Sequence, residues 1–316
     1  MAIYATGLTL ADIARRLGGD QPILVDALTQ GGGSPTFARI PMRQITGWVE
    51  PFTRIVGRPT VAWRRLGAYV AASKSERTPH SEGVFLLSGC SEVDKIRADR
   101  DPRGPTALRS EEAWSYLEAL GHSLSQQFFY GGTSVCTTAA SDGFDGMCAR
   151  VVSVVSTYIQ CSTGSTGDSV YAFKFGPGKF MGIYNVGPSG KLIEANDYGA
   201  IVDTDNTGSS ASLNELYRTF FNAAFGVAQY HQLAVGRISG PASSLATIDF
   251  TNLYAGMEQK PDLFVTTWRG WGCISKMIEG KQSYPPGVTD YTPYAGFYDG
   301  IPIIVDNALI ADAKMC

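Results

Sequence analysis

Histidine is scarce in this chain: His80, His122 and His231 are the only three in 316 residues. No H-E-x-x-H pair and no G-x-S-x-G elbow is present, which excludes the local signatures of zinc proteases and of serine hydrolases with a nucleophile elbow. A Cys–His or Ser–His pair brought together by folding, with His231 as its base, is left as a hydrolase alternative. The six cysteines form no C-x-x-C pair, and their spacing suits no common zinc site. They read as reduced, mostly buried thiols of a cytosolic setting, with a Cys136–Cys148 disulfide left open. Gly178-Lys179 and Gly190-Lys191 lack the upstream glycine of a phosphate loop, and Phe180 and Leu192 stand where a magnesium-binding hydroxyl is needed. Both read as hairpin turns. Asp203 and Asp205 lack the glycine and terminal glutamate of a calcium loop. No cofactor or metal is therefore expected, and no catalysis. No apolar run approaches the roughly 18 residues of a membrane span. Met1-Ala2-Ile3-Tyr4 opens without a basic, then apolar, leader, so no secretory signal is expected. Charged residues are few, at 17%, and the net charge of −3 excludes a nucleic-acid binder that works by overall charge.

Glycine is plentiful, at 36 residues, and aromatics make up 11%. That mixture favours strands and turns beside helices, an α+β chain, and the length suits one large or two ordinary domains. Residues 9–17 predict a short helix: Thr9 caps it with Asp12 three residues on, and Leu10, Ile13, Ala14 and Leu17 form its apolar stripe. A second short helix carries Pro22 in its first turn, and Gly31-Gly32-Gly33 then reads as a hinge. Strands are expected at Val151–Val155, at 169–186 around the Gly176–Lys179 turn, and at 217–239 with a break at Gln229–Gln232. Residues 202–214 read as polar and acidic. A helix is expected within 245–259, a strand at Leu263–Thr266, a helix at Trp271–Ile278, and a turn with a buried strand at Tyr298–Asp306. No internal repeat is visible.

Two neighbouring segments carry most of the information. Residues 107–130 predict one long amphipathic helix, with Ser110 as its cap and Glu111 and Glu112 in its first turn. Ala113, Leu117, Leu120, Leu124 and Phe128 recur at spacings that place them on one face, and Gly131-Gly132 ends the run. Before it, residues 52–89 read as an extended basic hairpin with strand character over 56–73 and a polar turn at Glu76–His80. Arg54, Arg58, Arg64, Arg65, Lys74 and Arg77 face a single acid, Glu76, between positions 52 and 80. Trp63, Val56, Val61 and Val70 are interspersed. Such an arm has too little apolar surface to build a core and needs another surface to lie on. Residues 91–103 read as a solvated connector.

The order of certain segments is similar to that of a known family. These are Thr9–Arg16, then Gly57-Arg58-Pro59-Thr60-Val61-Ala62-Trp63-Arg64, then Ser91-Glu92-Val93-Asp94-Lys95, then Gln127-Phe128-Phe129-Tyr130-Gly131, and finally Gly300-Ile301-Pro302-Ile303. The chain resembles the major capsid proteins of short-tailed double-stranded DNA bacteriophages, which have the Hong Kong 97-type fold. The resemblance implies an N-terminal arm at 1–50 and an extended loop at 51–90 whose Arg54, Arg58, Trp63, Arg64, Arg65, Lys74 and Arg77 contact a neighbouring subunit. It further implies a peripheral domain at 91–165 with the spine helix at 107–130, a mixed stretch at 166–243 with peripheral strands near 217–239, and an axial domain at 244–316. Because the 217–239 run precedes Gly300–Ile303, the expected strand order is a rearranged one. The implied function is self-assembly as pentamers and hexamers into an icosahedral shell around the phage DNA. Partners would be further copies, a portal, scaffolding or decoration proteins, and DNA held without sequence specificity. The implied location is the virion, and the host cytoplasm during assembly, with no membrane. An encapsulin-like compartment is the structural alternative. The acids expected to receive the basic arm are Glu194, Asp197, Asp203 and Asp205.

Overall fold

The computed structural model describes residues 8–29, 35–131, 143–152, 154, 156–160, 169–187, 190–205, 212–239, 245–257, 259–278 and 296–309. In chain order the elements are α1 (Leu10–Leu17), α2 (Gln21–Thr29), β1 (Met42–Gln44), β2 (Val49–Gly57), β3 (Glu76–Asp94), α3 (Lys95–Asp99), α4 (Pro105–Tyr130), α5 (Met147–Val152), β4 (Tyr158–Gln160), β5 (Ser169–Phe173), β6 (Phe180–Asn185), β7 (Ile193–Asp205), β8 (Ser212–Gln229), β9 (Val235–Ser239), α6 (Thr247–Met257), β10 (Leu263–Thr266), α7 (Trp268–Ile278), β11 (Gly296–Tyr298) and β12 (Ile301–Val305).

Two sheets organise them. The long sheet runs β1-β6-β8-β3-β2, with β7 also paired to β8. β8 is its hub: it is antiparallel to β3 from Val84↔Gly226 to Asp94↔Leu216, and β6 and β7 pair with successive parts of its length. A Cβ at Gly226 would lie 2.4 Å from the carbonyl oxygen of Gly83, so only glycine lets β3 and β8 approach this closely. The second sheet runs β11-β12-β10-β5-β9-β4. Its strands are apolar on both faces, as befits a sheet covered twice. Val170, Ala172, Ile238, Phe264, Ile301 and Ile303 pack on Phe250, Leu253 and Met257 of α6 and Ile274 of α7. Tyr171, Phe173, Leu263, Val265 and Ile304 face the main core instead.

That main core is centred on α4. Its five predicted apolar residues are placed there: Leu117, Leu124 and Phe128 are buried in it, and Ala113 and Leu120 pack against it. Phe128 touches Phe37, Phe129, Phe173 and Phe180, so the end of α4 joins the N-terminal segment to both sheets. α4 starts earlier than expected, with Gly104 as its N-cap and Pro105 in its first turn, and Ser110 lies inside it. Proline at the first helical position gives up no hydrogen bond, which makes the earlier start favourable. Gly131 closes it in the left-handed conformation, φ 76°.

The N-terminal segment is integrated into this core. α1 has the predicted capping box, with Thr9 and Asp12 bonded reciprocally. Leu10, Ile13, Ala14, Val25, Ala27 and Leu28 are buried in the main core. Gln21 is buried and bonds the backbone of Leu192 and Ile193 at the start of β7. The Gly31–Gly33 hinge lies outside the described residues.

Several local expectations are corrected. Residues 58–75 form no strand; the hairpin strands are β2 and β3, and Glu76–His80 belongs to β3 rather than to a turn. Val61, Trp63 and Val70 favour a pleated surface, but among the described residues no strand pairs with this segment. Of the strand expected at Val151–Val155, Val151 and Val152 instead end the helix α5, because Met147, Cys148 and Val151 bury one face in the main core and tertiary packing overrides β-branching; Ser153 and Val155 lie outside the described residues. Residues 91–99 are the end of β3 and α3, not a connector. The Gly176–Lys179 turn forms, but β5 and β6 lie in different sheets, so it is not a hairpin turn. Gly190-Lys191 is not one either, since β6 and β7 both pair with β8. The second sheet draws on β4, β5 and β9 as well as on strands beyond 244, so hydrogen bonding does not divide at that position.

Candidate inter-subunit surface

The β2–β3 hairpin carries the expected basic arm. Its pairing runs from Val49↔Gly83 to Gly57↔Glu76, with a bulge near the outer end. Beyond it, loop 58–75 is exposed along almost its whole length. Trp63, Leu66 and Tyr69 are fully solvent-accessible, Val61 is 89% exposed, and Val70 is 59% exposed. Within the loop, Arg64 donates Nη1 to the Ala68 carbonyl at 2.9 Å, and Ser73 Oγ donates to the Thr60 carbonyl at 2.8 Å. Arg58, Arg65, Lys74 and Arg77 are all exposed.

Arg54 does not belong with them. It lies on β2 opposite Thr78 and turns back to the body, its side chain 20% exposed, donating Nε to the Gln229 carbonyl at 3.1 Å and lying 3.7 Å from Glu82. Burial pulls its guanidinium pKa down, Glu82 opposes that pull, and Arg150 adds to it. Sequence reasoning missed the partners that matter here: Glu82, Arg150 on α5, and Tyr230 after β8. It also missed Leu66 and Tyr69 on the loop, which the run of apolar residues between the arginines could have revealed.

Of the acids proposed to receive the arm, Asp197 is already engaged. It pairs with Arg109 of α4 and accepts the Gly199 amide at 2.8 Å. Partial burial pushes its carboxyl pKa up, but the Gly199 amide and Arg109 together outweigh it and hold it below the usual range. Glu194 is half-buried and folds over Gly187. The side chains of Asp203 and Asp205 lie outside the described residues.

The histidines are dispersed. His80 stacks on Phe52, His122 contacts Gln126 on the exposed face of α4, and His231 Nδ1 accepts the Leu233 amide as a helix cap. A general base at His231 would have to give up that cap. Cys90 is a free thiol, but Cys148 is disulfide-bonded rather than reduced. Cys136, Cys161 and Cys316 lie outside the described residues. Among the described residues, no group of three or more His, Cys, Asp or Glu side chains could hold a metal ion, and no helix is long and apolar enough to cross a membrane.

The most buried carboxylate network holds chain segments together. Asp306, following β12, accepts Thr36 Oγ1 at 2.6 Å, Ser125 Oγ of α4 at 2.9 Å, and the Ala308 amide at 3.0 Å. Burial pushes its carboxyl pKa up, and these hydrogen bonds pull it part of the way back. It thereby ties the N-terminal segment, the long helix and the second sheet together at one carboxylate.

The family model of major capsid protein GP7 matches residues 7–269. No curated protein matches the chain. Among solved structures, a chain of bacteriophage Epsilon15 is similar at a TM-score of 0.61 and 15% identity, over 93% of this chain and 96% of that one. The bacteriophage JBD30 capsid is similar at a TM-score of 0.51 and 13% identity, over 96% of this chain and 99% of that one. The fold is the Hong Kong 97-type, and neither the encapsulin-like nor the hydrolase alternative gains support. A projecting apolar loop, a helix-centred core and a match to one family across most of its length agree: this chain belongs to the major capsid protein GP7 family and is a shell-forming structural protein of a tailed phage.

Proposed function

We propose that copies of this chain assemble as pentamers and hexamers into a closed icosahedral shell around the phage DNA, and that loop 58–75 of each copy lies across a neighbour. The observation that carries this reading is the exposure of Val61, Trp63, Leu66, Tyr69 and Val70 on one projecting segment. Burial against a second copy removes that apolar surface from water, and repetition around a ring gives the heterologous contacts from which closed shells are built. Arg58, Arg64, Arg65, Lys74 and Arg77 set register against an acidic neighbouring surface. The α4 core face anchors the peripheral domain, and the second sheet with α6 and α7 forms the axial one. Packaged DNA meets the inner surface as bulk polyanion, without sequence readout. A portal and scaffolding or decoration proteins complete the particle, which is built in the host cytoplasm. The protein has no catalytic role.

Reversal of Arg64 and Arg65 to Glu tests the arm. The double variant should keep the parental circular dichroism spectrum and lose most closed particles in negative-stain electron microscopy. Parental particle yields would count against the arm as an inter-subunit contact.

A further inference from the structure

The hairpin that carries loop 58–75 is held to the body on one face by ion pairs, hydrogen bonds and an aromatic contact. Opposite residues of β2 and β3 place Glu50 against Glu82, Phe52 against His80 and Arg54 against Thr78. Two carboxylates directly across an antiparallel pair repel each other. They are kept there by arginines from elsewhere in the chain. Glu82 receives both terminal nitrogens of Arg150, Nη2 at 2.7 Å, with side chains only 14% and 8% exposed, and Arg54 approaches the same carboxylate. Arg150 also donates Nε to the Asp145 carbonyl at 2.8 Å. Glu50 pairs with Arg43 at 2.9 Å, and both meet the hydroxyl of Tyr230. Phe52 packs on the Tyr230 ring at 4.8 Å. The corner at Gln229 and Tyr230 is thus a seat for the hairpin, and the Glu82–Arg150 pair is its bidentate bolt, linking β3 to α5.

We infer that Glu82, Arg150 and Arg54 are positioning residues for assembly: they fix the angle at which the hairpin leaves the body, and so the spacing and curvature between neighbouring copies. This rests on the reading of loop 58–75 as an inter-subunit contact. A bidentate arginine–carboxylate pair supplies directional constraint as well as attraction, which suits it to setting an angle. The loop tip lies well beyond the seat, so a small rotation there becomes a large displacement of Trp63 and Tyr69.

The test uses Glu82→Gln and Arg150→Lys in the full chain. Amide hydrogen exchange is followed in the unassembled subunit, and particle diameters are measured by electron microscopy. Glu82→Gln should speed exchange in residues 49–57 and 76–83 by about tenfold or more while α4 and the second sheet stay near parental rates. Its particles should have a broadened range of diameters or open into sheets. Arg150→Lys keeps the charge but loses the paired geometry, and should fall between parent and Glu82→Gln. If Glu82→Gln yields no folded protein, Arg150→Lys is read in the same way. Exchange that rises equally across the whole subunit, unchanged exchange in the hairpin, or a parental diameter distribution would each overturn the inference. Failure of the parent itself to form closed particles would instead remove the assembly reading, while the exchange measurement would still report on the seat.

Discussion

Trp63→Ala separates folding from assembly most cleanly. Trp63 is fully exposed on its loop, so truncation removes nothing that the subunit core relies on. A buried tryptophan withdraws about 200 Å² from water, worth roughly 5 kcal/mol at about 25 cal/mol per Å². That is an upper bound, because ordering the loop and associating two copies both oppose it. A central aromatic at an interface typically loses about 2 kcal/mol or more on truncation to alanine. In the proposed shell each subunit donates one such loop, so the loss per subunit is one contact. About 2 kcal/mol raises the concentration needed for assembly roughly thirtyfold. The assay is light scattering across a concentration series, with electron microscopy to identify closed particles and thermal unfolding of the dilute subunit alongside. The melting temperature should stay within about 1 °C of the parent, as expected for a surface site away from packing features. An assembly threshold within twofold of parental, or a large drop in melting temperature, would refute the reasoning. The first would mean that Trp63 meets no neighbour, and the second that the loop packs within its own subunit.

Two further substitutions probe the body. Phe128→Ala removes a fully buried ring in contact with four others, and should cost about 3–5 kcal/mol in denaturant unfolding of the subunit. Asp306→Asn tests a raised carboxyl. Because burial holds the folded-state pKa above the ordinary value of 3.8, the ionised form is penalised only in the folded protein. That penalty is absent below 3.8 and appears as pH rises from there through the folded-state pKa. The parent should therefore gain stability relative to Asp306→Asn as pH is lowered across that window, in paired melts at each pH, and the opposite trend would show that the carboxylate is favoured in its site.

What the sequence made legible was governed by periodicity. Ala113, Leu117, Leu120, Leu124 and Phe128 repeat on a helical face because one side of α4 meets the core and the other meets water. Thr9 and Asp12 announce their helix because a capping box is a local arrangement of side chains and backbone. The errors fell where the deciding partner is distant. Part of β7 looks like polar and acidic sequence because, among the described strands, it pairs with β8 alone and sits at the edge of the sheet path. Val151 and Val152 look like the start of a strand because β-branched residues favour strands, until burial of Val151 on one face of α5 outweighs that preference. Arg54 groups with Arg64 and Arg65 by charge, yet the Gln229 carbonyl and Glu82 hold it against the body. No spacing rule relates Glu82 to Arg150, which the fold brings together from sixty-eight positions apart.

The same contrast sorts residues by what they serve. The core around Phe128 closes without loop 58–75: the N-terminal segment, both sheets and α4 meet one another directly. The loop is therefore free of the demands of subunit stability, which is why it can carry Val61, Trp63, Leu66 and Tyr69 in water at the risk of nonspecific association. Substitutions should fall into three groups. Changes at Phe128 or Leu117 lower subunit stability and assembly together. Changes at Trp63, Leu66 or Tyr69 lower assembly alone. Changes at Glu82 or Arg150 should leave the core formed and alter the geometry of whatever is built, because those side chains sit where the body meets the hairpin that carries loop 58–75. A measured map in which Glu82 variants tracked Phe128 variants in every assay would place the seat inside the core and remove the distinction.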